Sequence, residues 1–134
     1  MWMAGGKLGK TRITQEFGRE LLEAAREGRT VTYGHLMKRF RLSRGRRFSA
    51  VLNEVDRVEH INGAPGFAAI VVRKDTEFPG GGYFCDDSLP VSLRRAASRS
   101  TDPKLSEAEK EHVRRRQHKV WEFYGKGKVV RATT

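Results

Sequence analysis

Apolar residues recur at helical spacing through the first half of the chain. After Thr14, a residue suited to cap a helix, Phe17, Leu21 and Ala25 follow at intervals of four, and Gly28 supplies a stop. Arg29-Thr30-Val31 is long enough only for a small strand. Thr32 then caps a second, short helix over Tyr33–Phe40, with Leu36 and Phe40 inward, and Arg41-Leu42-Ser43-Arg44-Gly45 reads as a turn. A third helix carries Phe48, Val51, Leu52, Val55 and Val58 on one side, and Asn62-Gly63 and Pro65-Gly66 end it.

The period then changes. The run 67–72 is apolar and β-rich, which suits a strand covered on both faces. Residues 73–80 read as a hairpin loop, with Gly80-Gly81-Gly82 at a tip or bulge, and 81–85 as the return strand. Residues 86–104 are irregular and polar. Ser106-Glu107-Ala108-Glu109 is a capping box, and Val113, Gln117, Val120, Trp121 and Tyr124 share one face of the helix it opens, which Gly125 ends. The fold class expected is α+β: a winged helix-turn-helix of three helices and a two-stranded wing, with an appended C-terminal helix. Its parts are a flexible basic arm (1–13), the winged-helix domain (14–85), an irregular linker (86–104), the C-terminal helix (105–125) and a basic tail (126–134). No internal repeat is visible.

Composition sharpens this picture. The chain has 134 residues, 37% of them hydrophobic, which allows one domain with a small core. Its 27 Lys and Arg against 16 Asp and Glu give a formal charge of +11. The charge is segregated. No acid occurs from Arg29 through Asn53, a stretch that holds Arg29, Lys38, Arg39, Arg41, Arg44, Arg46 and Arg47. A second basic block starts at Arg114-Arg115-Arg116, while acids gather at 16–27, 54–59 and 107–111. Such segregation is the footprint of a phosphate-facing surface. No apolar run is long enough to span a membrane, and the first residues lack a signal-peptide stretch, so a cytoplasmic location is expected, on the nucleoid in a bacterium. One cysteine, Cys85, makes neither an internal disulfide nor a four-cysteine zinc site, and reads as a small hydrophobe.

The segment Gly28-Arg29-Thr30-Val31-Thr32-Tyr33-Gly34-His35-Leu36 resembles the G-x-x-x-T/S-Y-G-x-L stretch that opens the helix-turn-helix of the alkylguanine-DNA alkyltransferases and alkyltransferase-like proteins. Arg47 before Phe48-Ser49-Ala50 is similar to that family's Arg and small residues on its recognition helix. Ile70-Val71-Val72 and Gly81-Gly82-Tyr83 are similar to its following strand and Gly-rich turn. The resemblance covers 14–84 and implies duplex DNA as partner. It also implies that Tyr33 and Arg47 help rotate a nucleotide out of the duplex. The family's reactive run Pro-Cys-His-Arg-Val corresponds here to Phe67-Ala68-Ala69-Ile70-Val71, which has no Cys, His or Arg. Alkyl transfer needs a thiolate and an activating base, so that activity is not expected.

Other chemistry is weakly signalled. His112 and His118 are six apart on one helix and point to different faces, so they do not share an ion. Asp86, Asp87, Glu107, Glu109 and Glu111 offer carboxylates to a metal-dependent nuclease, but the helix dipole and capping box account for those on the last helix. Trp121 and Tyr124 read as core aromatics rather than base-stacking ones.

The function expected is non-catalytic binding of double-stranded DNA, with no cofactor and no metal. Phosphate contacts fall to Arg29, Lys38, Arg39, Arg41, Arg44 and Arg46, and groove contacts to Arg47, Ser49, Asn53 and Tyr33, with Arg47 and Asn53 as base readers. Arg73 and Lys74 sit at the base of the wing. About six neutralised phosphates predict a log–log salt slope near −5. Two alternatives stand beside it: an RNA or ribonucleoprotein module, and a protein-interaction module or homodimer formed through the C-terminal helix.

Overall fold

The apolar stripe of the first helix, α1 (Arg12–Glu27), is fully buried at Phe17, Leu21, Ala24 and Ala25. The computed structural model describes residues 12–43, 46–86, 89–99 and 104–125. Most of the expected arm, all of the tail, and Arg44 lie outside the described residues. The helix begins before Thr14, so Thr14 is a buried helical residue rather than a cap, and Ile13 joins the packing around the core. The phenyl ring of Phe17 is the hub: Phe40 lies 5.5 Å and Phe48 5.6 Å from it, between ring centres.

β1 (Val31–Thr32) follows, and Thr32 caps α2 (Tyr33–Phe40) as its residue type predicts, accepting from the His35 N–H at 3.1 Å. Arg41 closes α2 in the left-handed region, at φ 53°. α3 (Arg46–Ile61) buries Phe48, Val55 and Val58, with Val51 and Leu52 half-buried against the same core. The expected helical spacing therefore holds in all three helices.

The wing is where expectation and structure part. Only Val71–Val72 of the run 67–72 is a strand, β2; Ala68–Ile70 is a 3-10 turn. The Asp56 carboxylate on α3 accepts from the N–H groups of Phe67 at 2.7 Å and Ala68 at 3.1 Å, which removes donors a strand ladder would use. The partner of β2 is β1, in parallel, with Val31 opposite Val71 and Thr32 opposite Val72. Gly81–Phe84 is a second 3-10 turn, not a return strand. It winds because Phe84 is drawn fully into a small cluster with Leu89, Leu105 and Val113. Period-two alternation was too short there to decide between strand and turn.

The segment after Phe84 is no loose linker. Its described residues form turns at Val91–Leu93 and Ala97–Arg99, and Arg95 is buried among them. Arg95 meets Glu109 through two hydrogen bonds of 2.9 Å and also donates to the carbonyls of Lys104 and Arg99. The capping box is real: Glu109 N–H donates to Ser106 Oγ at 3.1 Å and Ser106 N–H to Glu109 Oε1 at 2.8 Å. It opens α4 (Glu107–Gly125), whose Val113, Gln117, Val120 and Tyr124 are buried. Further bonds pin α4 to the rest. Gln117 Nε2 donates to Ala69 O at 2.9 Å, Trp121 Nε1 to Arg29 O at 3.1 Å, and the Tyr124 hydroxyl to buried Glu59 at 2.6 Å. The protein is thus a mostly helical α+β chain with one small parallel sheet. No helix among the described residues is long and apolar enough to cross a membrane.

Candidate nucleic-acid interface

The acid-free segment puts its apolar residues inside and most of its charges outside. Lys38, Arg41, Arg47, Ser49 and Asn53 are all exposed. On α2 the buried side is Tyr33, Leu36, Met37 and Phe40, and Lys38 projects from the opposite side. On α3, Ser49 and Asn53 are one turn apart on a single exposed stripe. Arg47 lies about 120° around the axis from Asn53, because six residues advance a helix by about 600°. The two expected base readers therefore do not share a face. The Arg46 side chain lies outside the described residues.

Three of the expected nucleic-acid contacts, two phosphate ligands and the wing residue Arg73, already hold carboxylates. Arg29 pairs with Glu27 at 2.6 Å, Arg39 with Glu20 at 2.7 Å, and Arg73 with Asp75 through contacts of 2.9 and 2.7 Å. Glu20 also receives His35 at 2.7 Å. Burial raises the Glu20 carboxyl, but the bonds from His35 and Arg39 outweigh it and hold the group below its usual range. The Arg29 and Arg73 pairs are largely exposed, and pairs of that kind contribute little to stability. Lys38, Arg41, Arg47 and Lys74 have no carboxylate partner among the described residues.

Tyr33 has an internal task. Its hydroxyl accepts from Gly80 N–H at 3.0 Å, and its ring stands edge-on to Phe48 at 5.5 Å. Burial raises its phenol, against the opposing bond from Gly80. Tyr33 thus joins α2, the first turn of α3 and the end of the 73–80 loop. The groove contact expected of it would have to use an edge not engaged in this packing.

A cleft that no sequence expectation included lies between α3 and α4. It has a volume of about 540 Å³, and Asp56, His60, Tyr83, Asp86, His112 and Arg116 supply its polar lining. Ala68 and Ala69 line it as well. Burial pushes the Asp56 carboxyl up to about 6, despite the N–H groups of Phe67 and Ala68 that favour its charge. His112 is shifted down, by burial and then by the Arg116 and Arg115 charges, and its Nε2 is buried with no hydrogen-bond partner among the described residues. Gly66 lies against this wall at φ +83°, where a Cβ would stand 2.9 Å from both Asp56 and His60. The legible signal was the i, i+4 spacing of Asp56 and His60, which puts both on one side of α3. Among the described residues no three His, Cys, Asp or Glu side chains are grouped closely enough to hold a metal ion. Cys85 is half-buried, with Sγ 3.7 Å from the Ala96 carbonyl. Comparisons with known protein families, with curated proteins and with solved structures found nothing that matches this chain.

Proposed function

We propose that this protein is a non-catalytic binder of double-stranded DNA that uses α2 and α3 as a helix-turn-helix. On this reading the 73–80 loop, with Arg73 and Lys74, takes the part of the wing. The observation that carries the reading is the exposure of the acid-free segment's polar residues, Lys38 and Arg41 on and just after α2 and Arg47, Ser49 and Asn53 on α3. Lys38, Arg41, Arg47 and Lys74, which have no carboxylate partner among the described residues, and Arg29, Arg39 and Arg73, which hold one, suit a backbone carrying one charge per about 1.7 Å of duplex axis. Side chains of the Arg and Asn type make the bidentate contacts that distinguish base pairs. The positions that resemble the alkyltransferase reactive pair are Ala68 and Ala69, which supply no nucleophile and no base.

The test is fluorescence anisotropy of a labelled duplex across a salt series, with single-stranded DNA and duplex RNA as competitors. A log–log slope of about −4 to −5 and preference for duplex DNA support the reading. Stronger competition by RNA would assign the same surface to A-form shape. Binding that is absent near physiological salt would remove nucleic acid as the partner.

A further inference from the structure

We propose that the cleft between α3 and α4 binds a free α-amino acid with a large apolar side chain, its carboxylate held by Arg116 and Tyr83 and its ammonium group by Asp86. Such a ligand lies outside the duplex-binding reading and does not need it. The cleft volume of about 540 Å³ falls within the roughly 300–1,000 Å³ of small-molecule sites. Its apolar lining is Leu89, Pro90 and Val120, with Ala68 and Ala69, whose short side chains leave room. That lining suits a molecule with an apolar body rather than a bare ion.

The polar lining is divided by charge. Its carboxylates are Asp56, from α3, and Asp86, which follows the turn Gly81–Phe84. Its cation, Arg116, comes from α4, one turn after His112 on the same side of that helix. Tyr83 stands among these charges: burial raises its phenol, the charge and hydrogen bond of Arg116 lower it, and Asp56 and Asp86 raise it further. An oxygen that accepts from Arg116 still leaves the phenol proton to donate. A bare anion in this cleft would face two carboxylates, and a bare cation would face Arg116. A molecule that carries both charges a few atoms apart meets each with its opposite. A carboxylate offers about four lone-pair sites, so Asp56 keeps acceptor capacity beside the N–H groups of Phe67 and Ala68, and Asp86 beside its own contact within the chain. Buried polar groups are nearly always paired, and the His112 Nε2 on this wall has no partner among the described residues, so the polar lining is not closed on itself.

The experiment titrates L-phenylalanine into the full chain near neutral pH, followed by calorimetry and by the side-chain NMR signals of His60 and His112. A saturable response with a Kd of about 1 mM or tighter is expected. N-acetyl-phenylalanine lacks the ammonium charge and phenylalaninamide lacks the carboxylate, and each should bind at least about tenfold more weakly. Arg116→Gln and Asp86→Asn, checked by circular dichroism, should each lower the affinity for phenylalanine at least about fivefold. Asp86 is exposed, so its variant tests the site without a change inside the packed part of the fold. Absence of a saturable response overturns the proposal. So does an analogue that binds as tightly as phenylalanine, or either variant binding as the parent does. Duplex binding is no part of the readout, so its failure would leave this site standing.

Discussion

Replacing Arg95 with Met tests whether the segment between the sheet and α4 is held by one buried ion pair. The Arg95 side chain is 1% exposed and that of Glu109 10%. Its guanidinium makes two bonds of 2.9 Å to Glu109, one of 2.6 Å to Lys104 O and one of 3.2 Å to Arg99 O, and lies 5.4 Å from the Phe84 ring centre. Removing one partner of a buried pair destabilises by roughly 3–5 kcal/mol. Glu109 keeps the Ser106 N–H at 2.8 Å, so the lower end applies, about 3 kcal/mol. For a chain of this size that lowers the Tm by about 10 °C. Urea and thermal unfolding followed by circular dichroism measure it. Arg95→Met/Glu109→Leu removes both charges and should return to within about 1 kcal/mol of the parent. Acid should narrow the gap. Burial raises the Glu109 carboxyl, but Arg95 and the Ser106 N–H outweigh burial and hold it below 4.5. A lowered folded pKa contributes stability above the unfolded value and loses it as pH falls through the folded one, so the parent loses on acidification what Arg95→Met already lacks. A loss under about 1 kcal/mol in Arg95→Met, or a double variant no better than the sum of the singles, would refute the reasoning.

Two further expectations concern the junction of α3 with β2. The Asp56 carboxyl, raised from 3.8 to about 6, keeps a proton in the folded chain that the unfolded chain has lost, so its contribution is full below 3.8 and declines as pH rises through about 6. Asp56→Asn should flatten that decline, and a carboxyl carbon titration by NMR should show a midpoint near the raised value; a midpoint at the ordinary one contradicts the burial argument. Gly66→Ala places a Cβ at φ +83° and 2.9 Å from Asp56 and His60, and should lower the unfolding free energy by about 2 kcal/mol or more, read from the urea midpoint.

The helices were legible because each rests on a long apolar stripe with local punctuation. Thr32, the Ser106–Glu109 box and the spacing of Phe48, Val55 and Val58 all act within a few residues of themselves. The sheet was not legible, because its pairing is decided at a distance. Val31 finds Val71 only after α2 and α3 intervene, and Asp56 turns 68–70 away from a strand through bonds that no short window contains. Arg95 reads in sequence as one more surface cation, and only its meeting with Glu109 buries it. The candidate site divides in the same way. Charge segregation found the surface, since a run without acids needs no partner to be seen. The cleft between α3 and α4, and the regrouping of Arg29 with Trp121, depend on how helices distant in sequence pack.

Helical geometry separates the tasks of Arg47 and Asn53. A helix lying in the major groove presents one stripe to the base edges, and the stripe here holds Ser49 and Asn53. Arg47 stands about 120° away in the first turn, on the flank where a phosphate strand runs beside the groove. On the duplex-binding reading proposed above, its guanidinium would then be a backbone contact, and among the described residues of α3 Asn53 would make the bidentate contact with an adenine edge. Arg47→Ala should weaken every duplex by a similar factor and reduce the salt slope by about 1. Asn53→Ala should leave the slope alone and lower affinity for the preferred duplex by about 1–3 kcal/mol, with little change on the others. Anisotropy on a panel of duplexes differing at single base pairs, repeated at two salt concentrations, reads both effects. If Arg47→Ala reorders the panel while Asn53→Ala lowers it evenly, the stripe that faces the bases is not the one carrying Ser49 and Asn53, and α3 sits in the groove rotated by about a third of a turn.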